Sequence, residues 1–185
     1  MLRFKERYNK EVVPAMMAKF GYQNLMAVPR VAKTVVNSGF GRLAVALPAD
    51  EQKKLQQNLV DDLSLICGQK PVLQTSKKSI ASFKLRKGLV IGAKVTLRGK
   101  RMGDFIDRLI VVALPRSRDF SGLPAQSLDK KGNLSIGLKE QIVFPEITPE
   151  SAKRIFSLEA TIVTTAKTRE EGLELLRLLG FPIKL

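Results

Sequence analysis

The chain has 185 residues, with 32 Lys+Arg against 17 Asp+Glu and a formal net charge of +15. It contains no His and one Cys, Cys67, which excludes a His base, a Ser-His-Asp triad, an intramolecular disulfide and any His-bearing or multi-Cys metal site. Its 44% hydrophobic content is enough for a real core, so wholesale disorder is excluded as well.

Apolar residues at three- to four-residue spacing (Phe4, Tyr8, Val12, Met16, Phe20) predict an N-terminal helix over 3–20, kinked or restarted at Pro14 and ended by Gly21. Val31 to Asn37 reads as a strand, closed by Ser38-Gly39-Phe40-Gly41. Asp50 and Glu51 open a helix with the stripe Leu55, Leu59, Leu63 and Ile66, ending at Gly68, and Pro71 to Thr75 is a short strand. Leu89 to Arg98 alternates cleanly: Leu89, Ile91, Ala93, Val95 and Leu97 point one way, while Lys94, Thr96 and Arg98 point the other. Asp104 to Leu114 predicts a helix stopped by Pro115. The long loop 115–149 reads as an irregular excursion, with a hairpin around Lys131-Gly132-Asn133. Ser157 to Thr165 is a second alternating strand, and Thr168 to Leu179 a last helix capped by Gly180. The order predicts an α+β fold: an antiparallel sheet with a split β-α-β core (ferredoxin-like or RRM-like) and helices on one face. One domain over 1–185 is expected.

The charge is unevenly placed. Leu63 to Gly103 carries ten Lys or Arg and no acid over 41 residues, and Val12 to Ala49 is also free of acids. Asp104 to Leu185, with eleven acids and twelve basic residues, is near neutral. A solvated face usually mixes signs, so this exclusion of acids points to a polyanion partner, with nucleic acid favoured. A membrane surface would want a basic amphipathic helix, and the basic run is not helical. No apolar stretch approaches the roughly 20 residues of a spanning helix. The basic start, Met1 to Arg7, lacks the apolar block of an export signal. A reducing compartment, the cytoplasm or an organelle matrix, is expected.

Catalytic signals are weak. Gly39-Phe40-Gly41 lacks the rest of a phosphate loop and reads as a tight turn needing positive φ. Asp104 and Asp107 read as charges at a helix N-terminus, and Cys67 as a packed core thiol. No cofactor or metal is expected, and the chain is not read as an enzyme. The basic loop 76–87 differs: Lys77, Lys78, Lys84, Arg86 and Lys87 accompany Ser76, Ser79 and Ser82 around Phe83. Cations and hydroxyls satisfy phosphate oxygens, while Phe83 either stacks or anchors the loop in the core. With no aromatics on the strands, RNA is read through backbone, shape and hydrogen bonds rather than by splayed bases.

Long stretches of this sequence resemble the bacterial-type ribosomal protein L5 family. They include Val28-Pro29-Arg30-Val31, Ile66-Cys67-Gly68-Gln69-Lys70-Pro71, Phe83-Lys84-Leu85-Arg86-Lys87-Gly88 and Ile91-Gly92-Ala93-Lys94-Val95-Thr96-Leu97-Arg98-Gly99. Further on, Pro115-Arg116-Ser117-Arg118-Asp119-Phe120-Ser121-Gly122-Leu123, Gly132-Asn133-Leu134-Ser135-Ile136-Gly137 and Glu140-Gln141-Ile142-Val143-Phe144-Pro145-Glu146-Ile147 continue the match in order. The resemblance implies a component of the large ribosomal subunit in the central protuberance. Its 5S rRNA contacts would fall on Arg30, Lys33, Asn37, Ser38, Gly39, Gln69, Lys94, Thr96 and Arg98. Contacts to the P-site tRNA would come from Ser76, Lys77, Lys78, Ser79, Ser82, Lys84, Arg86 and Lys87. An intersubunit bridge to the small-subunit head protein S-thirteen would use Arg116, Arg118, Asp119, Asn133, Ser135 and Gly137. Large-subunit rRNA and neighbouring 5S-binding ribosomal proteins complete the implied partners. Two positions depart from the family pattern: Gly103 stands where an aromatic is common, which predicts a loosened helix start, and Ser38 replaces a commonly apolar residue. The residues alone leave open a free RNA chaperone or translational repressor, and more distantly a nucleotide-directed enzyme.

Overall fold

The structure, a computed structural model, describes residues 3–118, 120–148, 150 and 154–184. Helical segments are α1 (Phe4–Arg7), α2 (Val13–Phe20), α3 (Gly41–Ala46), α4 (Ala49–Cys67), α5 (Gly99–Arg108), α6 (Leu114–Arg116) and α7 (Arg169–Leu178). Strands are β1 (Val31–Gly39), β2 (Val72–Thr75), β3 (Val90–Leu97), β4 (Leu123–Pro124), β5 (Leu134–Leu138), β6 (Leu158–Thr164) and β7 (Ile183–Lys184). Five strands form an antiparallel sheet in the order β2-β3-β1-β6-β5. Without β5, that order is the split β-α-β arrangement the sequence predicts. The chain divides into two compact units: Met1–Val35, Leu97–Ile136 and Ala160–Leu185 in the first, Val36–Thr96 and Gly137–Glu159 in the second.

In the first unit, two helices share one device. A π turn at Tyr8–Val12 joins α1 to α2 just before Pro14, and another at Leu109–Ala113 joins α5 to α6 just before Pro115. In each, the N–H after the turn reaches back five residues, Val13 to Tyr8 and Leu114 to Leu109. A proline cannot donate, and its ring crowds the carbonyl four residues earlier; one widened turn relieves both without ending the helix. Pro115 therefore does not stop the helix, as predicted, but is carried within it. The same helix also starts at Gly99, five residues before the predicted Asp104.

Gly103 does not loosen that start. It is buried, and a Cβ there would come within 3.2 Å of the Phe4 ring, so the glycine makes room for an aromatic supplied by α1. Asp107 is likewise not at a helix N-terminus: its carboxylate accepts the Phe4 N–H at 2.9 Å and caps α1. The buried Arg7 guanidinium donates to the Leu179 carbonyl at 2.8 Å, where α7 exposes its unpaired carbonyls. α7 begins in a capping box between Thr168 and Glu171, as its Thr-Arg-Glu-Glu sequence allows.

The excursion 115–149 is not irregular throughout. A short hairpin, bridged at Leu128 and Leu134 around the predicted Lys131-Gly132-Asn133 turn, feeds β5 onto the edge of the sheet beside β6. β4 pairs in parallel with β7. The strand signal in Leu134-Ser135-Ile136-Gly137-Leu138 is period-two alternation over only five residues, short enough to be lost among turn residues.

In the second unit, α4 buries Leu55, Leu59, Leu63, Ile66 and Cys67, and β3 buries Ala93 and Val95. Cys67 is the packed thiol predicted. Gln141 is fully buried and satisfied: its amide donates to the Arg154 carbonyl at 2.6 Å and accepts the Phe156 N–H at 2.9 Å. Gly39-Phe40-Gly41 needs no positive φ, contrary to expectation. Phe40 is buried at the end of β1, and Gly41 opens α3 where a Cβ would crowd the Ile91 side chain at 3.3 Å.

Candidate nucleic-acid interface

The open face follows from strand alternation. On β1 within the second unit, Val36 and Ser38 are buried while Asn37 and Gly39 are exposed; on β3, Ala93 and Val95 are buried while Lys94 is exposed and Thr96 half-buried. β1 and β3 are neighbours, and Gly92 lets them approach, since a Cβ there would lie 2.9 Å from the Ser38 carbonyl oxygen. Gly68, left-handed at φ +62°, ends α4 and turns Gln69 toward β3, where its amide lies 3.5 Å from the Thr96 carbonyl. Asn37, Gly39, Lys94 and Thr96 thus lie on the open side of β1 and β3, with Gln69 hydrogen-bonded at Thr96. Ser38 does not join them. It is 1% exposed, and its hydroxyl donates to the Ser157 carbonyl at 2.8 Å, so its side chain is turned to the covered face. The other predicted rRNA residues belong to the first unit, with Arg30 and Arg98 exposed and Lys33 half-buried. Lys100 and Arg101, both exposed at the start of α5, continue the basic run from Arg98.

The basic loop 76–87 lies wholly within the second unit. It is a closed excursion rather than a slack one. The Ser76 N–H bonds the Leu89 carbonyl at 2.8 Å, the Gly88 N–H returns to the Ser76 carbonyl at 2.9 Å, and Ile80 bridges Leu85. Ser79 accepts the Lys87 N–H at 2.9 Å, and Lys84 takes a left-handed φ of +51° at the tip. Lys77, Lys78, Lys84, Arg86 and Lys87 are all exposed and make no ion pair among the described residues. Ser79 and Ser82 are exposed too, whereas Ser76 is buried and donates to the Lys78 carbonyl at 2.7 Å. Phe83 is 70% exposed, so it does not anchor the loop in the core. Five cations converging beside hydroxyls and one free aromatic edge can grip a phosphodiester backbone.

Of the predicted bridge residues, Arg116, Arg118 and Ser135 are exposed in the first unit, Gly137 is exposed in the second, and Asp119 lies outside the described residues. Ser135 shares a hydrogen bond with Thr161 at 3.2 Å. Asn133 is committed to its own turn. Its N–H and amide donate to Asp129 at 2.8 and 2.7 Å, and its amide oxygen accepts the Thr164 N–H at 2.9 Å. Among the described residues no cluster of His, Cys, Asp or Glu could hold a metal ion, and no helix is long and apolar enough to cross a membrane.

Known proteins match almost the whole length of the chain. The profile of ribosomal protein L5 matches residues 24–86, and the profile of that ribosomal family's C-terminus matches 90–183. The large ribosomal subunit protein uL5 of Thermoanaerobacter sp. (strain X514) is 52% identical over 182 residues, covering 98% of each chain. That of Syntrophomonas wolfei is 52% identical over 184 residues and all of both chains. That of Clostridium perfringens (strain SM101 / Type A) is 49% identical over 182 residues, again 98% of each.

Proposed function

The chain belongs to the ribosomal protein L5 family, and from that premise we propose that it is a structural, non-catalytic component of the large ribosomal subunit, at work in the cytoplasmic ribosome. Within the subunit it binds 5S rRNA in the central protuberance, alongside large-subunit rRNA and neighbouring 5S-binding proteins. Asn37, Gly39, Gln69, Lys94 and Thr96 on the open face of the second unit form one set of contacts, and Arg30, Lys33 and Arg98 add cations from the first. Ser38 acts by holding β1 in place rather than by touching RNA. The loop 76–87 reaches the P-site tRNA, and Arg116, Arg118, Ser135 and Gly137 contribute to a bridge toward the small-subunit head protein S-thirteen.

The observation that carries this reading is the placement of the acid-free stretch. Residues 63 to 103 supply both an open strand face with hydrogen-bonding side chains and a loop of five exposed cations. The two do different work. Cations in the loop supply grip that falls with salt, while Asn37 and Thr96 supply directed hydrogen bonds to RNA edges and 2′-hydroxyls. Replacing Asn37 and Thr96 together by Ala is expected to weaken 5S rRNA binding about ten- to a hundredfold, as for two lost hydrogen bonds, with the melting temperature nearly unchanged. Wild-type affinity in a variant with wild-type melting would refute the assignment.

A further inference from the structure

Met26 is 87% exposed and Leu25 64%, in a turn of 3-10 helix, Leu25–Ala27, between α2 and β1. These two adjacent apolar side chains face water, yet their backbone is firmly fixed. The Asn24 side chain accepts the Met26 N–H at 2.8 Å, the Ala27 N–H bonds the Asn24 carbonyl at 3.0 Å, and the Val28 N–H bonds that of Leu25 at 3.3 Å. Immediately after, Val28 and Pro29 are buried, and Tyr8 donates its hydroxyl to the Pro29 carbonyl at 3.1 Å. A rigid, capped turn that ends in two exposed apolar side chains is a preformed knob, since little ordering remains to be done on binding.

We propose that Leu25 and Met26 form an apolar contact to RNA, seated against riboses and base edges in the shallow minor groove of the 5S rRNA. The inference rests on the reading given under Proposed function and adds to it a contact that is neither cationic nor hydrogen-bonding. Charge selects the occupant. Val12 to Ala49 holds no acid, and Arg30, exposed five and four residues on, supplies the phosphate contact that would seat a nucleic acid beside the knob. Size argues against a protein. Two side chains flanked by the exposed polar Gln23 and Asn24 fall far short of the roughly 800 Å² that a specific protein partner covers. Apolar side chains, Leu and Met among them, are the wedges that nucleic-acid-binding proteins press against base steps in a minor groove. The wide minor groove of A-form RNA admits them.

The test separates this contact from the electrostatic ones. Affinity for 5S rRNA is measured across a salt series for the wild type, for Leu25→Ser/Met26→Ser, and for Arg30→Ala. The double variant is expected to bind about tenfold more weakly with an unchanged salt slope, because it loses apolar burial and no phosphate contact. Arg30→Ala is expected to lose affinity with a slope shallower by about 0.7–0.9. Met26→Leu with Leu25 intact should stay within twofold of the wild type. A double variant that binds within twofold of the wild type, or whose loss comes with a shallower slope, overturns the proposal. A wild type with no preference for 5S rRNA overturns the functional reading first and this contact with it.

Discussion

Asp129 shows how one side chain holds a turn that the sequence only hints at. Its carboxylate accepts the Lys131 and Asn133 N–H groups at 2.9 and 2.8 Å and the Asn133 amide at 2.7 Å. Burial works against the charged form, but these hydrogen bonds and the nearby Lys131 outweigh it and hold the carboxyl below its ordinary 3.8. A depressed folded-state pKa gives stability that is fully present above the unfolded value, near 4, and is lost as pH falls through the folded one. Asp129→Asn should therefore remove part of the stability loss that sets in as pH falls below about 4, while costing on the order of 0.5–1 kcal/mol at neutral pH, the low end because the group is well solvated. Urea midpoints of both proteins from pH 7 to pH 3 would show it; parallel curves over the acid range would contradict it. Ser38 makes the complementary point. The predicted strand ends at Asn37, and the rRNA contact expected of Ser38 is what the family resemblance implies; in β1 the alternation runs on to Gly39 and turns Ser38 to the covered face. The commitments of Asn133 to Asp129 and Thr164 are likewise invisible in the sequence, since they arise only once the turn has formed and β6 lies beside it.

Among the elements, the basic loop 76–87 carries the clearest electrostatic expectation. Five cations with no ion pair among the described residues are held by a backbone that closes on itself, so they are presented as a group. Replacing Lys77, Lys78, Lys84, Arg86 and Lys87 by Ala is expected to leave melting within a degree or two, as they bury little. It should also speed tRNA loss from the P site of assembled ribosomes, with a shallower salt dependence. Unchanged tRNA retention would remove the loop from that role. The helices were legible where apolar spacing is long, as in α4 and α7. The start of α5 was not, because Gly99, Lys100 and Arg101 offer no apolar stripe and their helix is fixed by the packing of Met102, Gly103 and Phe105 behind them. Pro14 reads as a kink or a restart, and the structure has α2 begin there after a π turn; Pro115 reads as a stop, because the π turn that absorbs it needs a five-residue backbone bond that no side-chain pattern encodes.

For the whole molecule, charge and fold were legible together because each rests on many residues. The alternation of β3 placed Lys94 and Thr96 on the open face, and the exclusion of acids from 63 to 103 marked the half of the chain that carries it. What composition could not supply was the purpose of the excursion 115–149, which reads as near-neutral loop until β5 is seen on the sheet edge. A net charge of +15 would by itself attract any RNA. The central claim is stronger: an open face with directed hydrogen bonds prefers 5S rRNA over other RNAs of equal charge. The decisive measurement is competition binding to 5S rRNA against excess tRNA and an unrelated structured RNA, repeated from low to high salt. The account predicts a 5S preference that persists as salt rises, since shape and hydrogen bonding survive screening while non-specific grip does not. Loss of all three complexes in parallel would contradict it and leave a general RNA chaperone as the better description.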